Sequence, residues 1–327
     1  MSKKQTSRSG SKRAVKVKSK GASKGKGKSK HQAEQGLIDG LSRGHDLSLD
    51  LYELCVTNSG SLARFAAAVH AAGAQKSEPK KSARKKAAGK LKSKAQRTPV
   101  RVLREDFCGS GSLARAWGML YGEGFGVDQD PNALAHGMLV DMKIRGDFDD
   151  IEEVGGKGFS VVASDVQDCG IQADVIAATN FPLGYFHTRE GLLKYLKHSK
   201  RCLKPGGVFI ADMYGGSDAF MTGKQKRVLP GGPGERIEYT WEQVSAHAVT
   251  GIVENAIHFE VKERGKKPRI LKNAFTYHWR LWGIRELAEA ILEVGFERVE
   301  VYNRLADAMD EDGNVYVKPV WWVGKRG

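Results

Sequence analysis

A strand that runs directly into two closely spaced glycines narrows this chain more than any other feature. Val100–Asp106 is predicted as a strand; it leads into Cys108-Gly109-Ser110-Gly111, and Ser112-Leu113-Ala114 opens a helix. The glycines let the backbone turn tightly and let a ligand approach it, while the helix N-terminus beyond them offers free N–H groups. The pattern then alternates. Helix Leu113–Leu120, strand Gly124–Asp128, helix Pro131–Met142, strands Ser160–Ser164 and Ala173–Ala178, helix Thr188–Leu203 and strand Val208–Met213 follow in order. Strands separated by helices of this length predict an α/β fold with a doubly wound, mostly parallel sheet.

The period changes after that fifth strand. Ile237, Tyr239 and Trp241 alternate with charged neighbours. Val253, Ile257, Phe259 and Val261 follow, with Asn255 as the one polar interruption of their face, and Leu271, Phe275, Tyr277, Trp279 and Leu281 continue the pattern. Three antiparallel, half-exposed strands are predicted, inserted at about 230–282. A helix over Ile284–Val294 and strands Val299–Val301 and Val315–Val323 close the chain. Upstream, Leu47, Leu51, Tyr52 and Cys55 share one helix face, and Ser61 caps a second helix to Ala71.

Charge is distributed unevenly. The formal total is +15, but residues 1–30 and 76–97 together carry +21, so the other 275 residues hold −6. The body is a mildly acidic globular protein with two basic ribbons, and residues 1–30, with almost nothing apolar to bury, are predicted to be disordered. No apolar run approaches the ~20 residues that span a bilayer. Cys55, Cys108, Cys169 and Cys202 lie far apart with no C-x-x-C pair, which supports neither a disulfide framework nor a zinc site and suits a reducing, cytoplasmic setting.

The second strand ends at Asp128, 17 residues after Gly111. A carboxylate there can accept hydrogen bonds from both hydroxyls of a ribose. G-x-G-x-x-A with a spaced acid describes a nicotinamide-dinucleotide site equally well, so an NAD(P)-dependent oxidoreductase is one reading. Three features choose between the cofactors. Glu105 closes the strand where a dinucleotide would place its pyrophosphate, and a buried carboxylate suits an ammonium group better. Ser164-Asp165-Val166 places another acid after the third strand. Leu203-Lys204-Pro205-Gly206-Gly207 precedes the fifth strand, which leads into Asp212-Met213-Tyr214-Gly215-Gly216.

Together these residues resemble the class I S-adenosylmethionine-dependent methyltransferases over residues 99–327. The stretch Leu103–Gly109, with Asp50–Leu54 and Arg280-Leu281-Trp282, resembles one sparsely characterised subgroup of them. The resemblance implies S-adenosyl-L-methionine as cofactor, with Glu105 facing the methionine amine and Cys108, Gly109 and Gly111 lining the methionine. It also implies Asp128 at the ribose and Asp165 with Val166 at the adenine. Phe107 stands where the family commonly has glycine, and Asp106 where it has an apolar residue, so an altered approach to the loop is expected. The implied organisation is a basic tail (1–30), a helical segment (31–75), a basic linker (76–98) and a methyltransferase domain (99–327).

A methyl acceptor should lie outside the carboxyl ends of strands four and five. Asn180-Phe181-Pro182-Leu183 occupies that place and does not match the Asn/Asp-Pro-Pro-Tyr/Phe pattern of base- or glutamine-methylating enzymes. With the insert expected to roof the pocket, this favours a small-molecule acceptor. Asn180 is the candidate polar group near the methyl and the cofactor, Tyr185 a candidate pocket wall, and Arg280 a candidate clamp for a substrate carboxylate, or else a partner of Glu254 or Glu260. His258 and His278 are a weaker pair of candidate bases. The Lys-rich ribbons have three readings: a non-specific tether to RNA or DNA through counterion release, for an active enzyme or for an adaptor that has lost catalysis; a contact with an anionic surface; or solubilising tails with no specific role. Deleting residues 1–30 is expected to leave turnover on a free acceptor unchanged at physiological salt; steady-state assays of the truncated and full chains check this.

Overall fold

Five parallel strands form the platform: β1 (Val102–Asp106), β2 (Glu123–Asp128), β3 (Gly158–Ala163), β4 (Ala173–Ala178) and β5 (Leu203–Ala211), in the order β3-β2-β1-β4-β5. The computed structural model describes residues 46–76, 102–147, 158–302 and 321–324, with Gln35, Leu37, Asp39 and Gly40. The basic tail (1–30), and the basic linker (76–98) apart from Lys76, lie outside the described residues. Helices α1 (Leu47–Val56) and α2 (Ser59–Lys76) precede the sheet, while α3 (Ser112–Leu120), α4 (Pro131–Asp147) and α5 (Arg189–Cys202) connect its strands. Pro131 starts α4, where its missing N–H costs nothing. Thr188 caps α5 by accepting the N–H of Gly191 at 3.2 Å.

Apolar side chains fill both sides of this sheet, as the doubly wound pattern requires. On one side Leu113 and Trp117 of α3 and Ala63 and Ala66 of α2 pack on Leu103, Val175 and Ala177. On the other, Leu192, Tyr195 and Leu196 of α5 meet Val127, Ala178 and Leu183, joined by Leu287 and Ala290 of α6 (Ile284–Glu293). β5 begins earlier than its pattern predicts, because Leu203 already pairs with Ala173 and, across a register shift, the ladder resumes at Val208 opposite Val175.

The insert is a four-stranded antiparallel sheet, not a three-stranded one. β6 (Gly223–Pro230) pairs with β7 (Glu235–His247), followed by β8 (Ile252–Glu263) and β9 (Arg269–Arg280). Its extra strand, GKQKRVLP, is mostly exposed and lysine-rich, an edge composition that suppresses pairing with other chains and hides the strand from a hydrophobic-pattern reading. Leu51 and Cys55 of α1 pack on the inner face of this sheet against Ile237, Tyr239, Ile257 and Phe259. β10 (Arg298–Val301) pairs antiparallel with β11 (Trp321–Gly324); residues 315–320 of the predicted last strand lie outside the described residues. All four cysteines are free and buried. No helix among the described residues is long and apolar enough to cross a membrane.

Asp106, where an apolar residue is usual, is fully buried and paired with Arg104 two residues back on the same face of β1. Arg104 Nε lies 2.7 Å from Asp106 Oδ1, and its Nη2 and the Tyr195 hydroxyl both donate to Oδ2 at 2.9 Å. Arg104 Nη1 donates to the Cys169 carbonyl at 2.9 Å, so the charged pair is satisfied inside the core. Truncating one partner strands the other charge. Asp106→Ala is expected to destabilise by about 3–5 kcal/mol, with Arg104→Met/Asp106→Leu recovering most of the loss; urea unfolding measures both.

Candidate active site

The residues singled out for a cofactor lie along one edge of the parallel sheet. Glu105 is in the last turn of β1; Cys108, Gly109 and Gly111 form the loop after it; Asp128 ends β2; Asp165 and Val166 follow β3; Asn180 follows β4. The strand order reverses between β1 and β4, which opens a crevice at this carboxyl edge. Hydrogen bonds tie the loops together. Gly109 N–H donates to Asp128 Oδ2 at 2.8 Å and Cys108 N–H to the Val127 carbonyl at 3.1 Å. Asp128 Oδ1 also accepts the N–H of Asp130 at 2.9 Å. Asp165 accepts from Gln129 Nε2 at 3.1 Å and from the N–H of Gln167 at 2.8 Å. The Val166 side chain is core, packed with Val127 and Leu183.

Phe107 adopts φ 56°, the left-handed conformation a glycine takes without strain. Holding a bulky residue there costs about 1–3 kcal/mol. Its ring is anchored edge-on against Tyr195 at 5.5 Å and Phe186 at 6.0 Å. The altered approach expected from Phe107 is thus a left-handed turn fixed by aromatic packing. Gly111 also needs its left-handed φ of 71°, and a Cβ there would sit 2.8 Å from the Phe159 ring.

Carboxylates dominate the electrostatics. Glu105 is buried beneath the loop, and its Oε2 accepts the N–H of Ala114 at 2.8 Å in the first turn of α3. Burial pushes its pKa from 4.5 up to about 8; the Ala114 N–H and Arg115 oppose the rise, and Glu53 and Asp128 add to it. Glu53 comes from α1, which sequence reasoning left outside the site. Its two oxygens take Ser110 Oγ and Arg115 Nη2, clamping α1 onto the glycine loop and neutralising Arg115. His136 Nδ1 accepts the N–H of Asp46 at 3.2 Å and so holds the start of α1 against α4. Nothing local distinguishes Glu53 from a solvated helix acid; the signal that pointed toward it is its place in the Asp50–Leu54 stretch that resembles the methyltransferase subgroup.

At the other lip, Asn180 and Phe181 are both left-handed, with φ 69° and 66°. Asp212 holds them: its carboxylate accepts their N–H groups at 3.0 and 2.8 Å. Burial raises the Asp212 pKa against those two bonds. Above this turn, Phe181, Tyr185 and Tyr214 meet Trp279 of β9 edge-on or tilted at 5.9, 6.0 and 6.3 Å. Tyr277 stacks on Trp279 at 4.2 Å, and Tyr52 of α1 meets Phe275 at 4.9 Å. The insert and α1 therefore cover the carboxyl edge together.

Arg280 is not a clamp. Its guanidinium pairs with Glu286 at 2.9 Å, donates to the His187 carbonyl at 3.1 Å and lies 3.7 Å over the Trp282 ring. The expected partners are taken elsewhere: Glu254 accepts from Ser245 and Glu260 pairs with Lys262. His258 is held by Glu242 and His278 packs on His187, so these two histidines do not form a base pair.

No protein-family model matches the sequence, and no curated protein does. Solved structures do. DesVI of Streptomyces venezuelae superposes with TM-score 0.56 at 16% identity, over 79% of this chain and 92% of that one. The sugar N-methyltransferase KedS8 from Streptoalloteichus gives 0.55 at 14% identity, over 79% and 87%. CalS10, an amino pentose methyltransferase from Micromonospora echinaspora solved with S-adenosylmethionine bound, gives 0.54 at 14% identity, over 77% and 89%. This is the class I methyltransferase fold. In it, burial holds the Glu105 carboxyl well above its ordinary value. A carboxyl raised in the folded state stabilises fully below its unfolded value, and that contribution is lost as pH rises through the folded value. Wild-type stability is therefore expected to fall between about pH 4.5 and 8 relative to Glu105→Gln; thermal melts across that range check it.

Proposed function

We propose that the protein is an S-adenosylmethionine-dependent methyltransferase acting on a small molecule. The gathering of Glu105 and Asp128 around the glycine loop carries this reading. Glu53 is neutralised by Arg115, so the reading rests on Asp128 and on a Glu105 that ionises readily only beside a positive charge. Both disfavour a pyrophosphate and favour a ligand bearing an ammonium and a sulfonium, which argues against the nicotinamide alternative. The residues present fit such a ligand. Gly109 and Gly111 allow close approach, Glu105 is poised to ionise beside an amine, Asp128 keeps acceptor capacity for ribose hydroxyls, and Asp165 stands at the adenine end. When bound, S-adenosylmethionine supplies a methyl group already activated on a sulfonium. The chain's own residues then align and enclose. Asp212 is committed to two backbone N–H groups, so it fixes the Asn180-Phe181 turn and holds Asn180 as a polar group beside the methyl. The insert, together with Tyr52 and Tyr185, shields the reacting atoms from water.

A small acceptor is supported by that cover and by the lack of an Asn-Pro-Pro-Tyr type segment at Asn180-Phe181-Pro182-Leu183. The similar folds of KedS8 and CalS10, named for sugar and amino pentose substrates, agree with it. Calorimetry with S-adenosylmethionine, S-adenosylhomocysteine and NAD tests the reading: the first two bind saturably, and binding of NAD alone overturns it. Asp128→Ala is expected to weaken cofactor affinity by about tenfold or more, since ribose hydroxyls lose a charged acceptor. Labelled donor incubated with fractionated extract should mark metabolites in preference to RNA or protein.

A further inference from the structure

On the inner face of the antiparallel sheet, β7 and β8 carry three apolar pairs in succession and then a polar one. Ile237, Tyr239 and Trp241 on β7 lie opposite Val261, Phe259 and Ile257 on β8, and the next pair in register is Gln243 with Asn255. Two amides thus face each other across strands inside an aromatic surface, with Tyr277 opposite Asn255 on β9. Both are buried, Asn255 to 2% exposure, and a register shift just beyond Gln243 marks a bulge that re-aims the strand. Tyr214, two residues beyond Asp212, joins them. Asn255 Nδ2 donates to the Tyr214 hydroxyl at 3.0 Å, Tyr214 donates to Gln243 Oε1 at 3.4 Å, and Gln243 Nε2 donates to the Ala219 carbonyl at 2.8 Å. The three bonds of this relay all run in one direction. Its head, Asn255 Oδ1, is a buried acceptor with no partner among the described residues.

A buried amide oxygen without a donor is costly, and a chain of aligned hydrogen bonds behind it polarises it further. Aromatic rings surround the Tyr214 link of the relay. Tyr214 lies 5.3 Å from Phe181, 6.0 Å from Trp241 and 6.3 Å from Trp279. Phe181 is itself part of the turn that Asp212 holds beside Asn180. We propose that Asn255 Oδ1 is the anchoring group for the methyl acceptor, receiving an N–H or O–H from a small cyclic amine or alcohol whose ring packs on Tyr214, Trp241 and Trp279. The relay fixes the amide in its accepting orientation, and the rings supply apolar contact without reading sequence or charge. A ligand lacking a donor leaves Asn255 Oδ1 unpaired, so the site discriminates by rejection as well as by attraction.

This inference rests on the methyltransferase reading only in naming its ligand as the methyl acceptor. The full chain saturated with S-adenosylhomocysteine is titrated with aminocyclohexanol and with dimethoxycyclohexane, the same ring without donors, while Trp241 and Trp279 report by intrinsic fluorescence. Aminocyclohexanol is expected to bind and the donor-free ring to bind about tenfold more weakly or not at all. Asn255→Leu is expected to lose about tenfold for aminocyclohexanol, to keep S-adenosylhomocysteine affinity, and to melt at the same or a higher temperature, because it removes a buried unpaired polar atom. Tyr214→Phe, which cuts the relay and keeps the ring, is expected to lose a smaller factor. Equal binding of the two rings, binding of neither, or unchanged affinity in both variants overturns the proposal. A chain that binds aminocyclohexanol through Asn255 yet never binds S-adenosylhomocysteine overturns the cofactor reading and leaves the anchoring role standing.

Discussion

Side-chain carboxylates bonded to backbone N–H groups hold the glycine loop, and the rest of the site depends on them. Glu105 takes the Ala114 N–H beneath the loop and Asp128 takes the Gly109 N–H beside it, each at 2.8 Å. The first satisfies a free N–H in the first turn of α3. The second joins the ends of β1 and β2. Burial makes the ionised form of Glu105 expensive, so the same group that shapes the loop is left with an unmet demand for positive charge. A site built this way has its loop held in place by its own carboxyl groups.

The cover is attached to the same loop. Through Glu53, α1 reaches Ser110 and Arg115; through Leu51 and Cys55 it is embedded in the antiparallel sheet. The cofactor crevice and the aromatic surface of β7, β8 and β9 are thereby mechanically one unit, with α1 as the link. On the opposite lip, Asp212 does for the Asn180-Phe181 turn what Asp128 does for the glycine loop. Both strained segments are fixed by a carboxylate arriving from a neighbouring strand end. Side-chain carboxylates thus supply the rigidity of this edge, where a more regular loop would rely on glycine alone.

Much of this was legible in order of residues. Alternating strand and helix patterns, Pro131 and Thr188 at helix starts, and the Gly109/Gly111 spacing are local signals, because each reflects one segment's own backbone preference. The misreadings share a cause as well. β6 is lysine-rich and exposed, so its pairing with β7 supplies the order that its own composition does not advertise. Arg280 was assigned by strand alternation, but its reach is set by Glu286 and Trp282 on the following segment. Glu53 and Asp212 stood out only as members of motif stretches, and their roles did not, because both act through partners that are remote along the chain, Ser110 and Arg115 for one and Asn180 and Phe181 for the other.

By itself the sequence determined the layered α/β architecture, the position of the glycine loop and the acids at the strand ends. Periodicity and turn chemistry are properties of neighbouring residues, and they survive without knowledge of the whole. Tertiary structure decided which acids converge, that α1 belongs to the site, and that Asn255, a lone polar interruption in an apolar strand, heads a relay through Tyr214 and Gln243. Those outcomes depend on burial and on contacts across long stretches of chain. A carboxyl becomes a strained acid, or an amide an unpaired acceptor, only when the fold removes water from it.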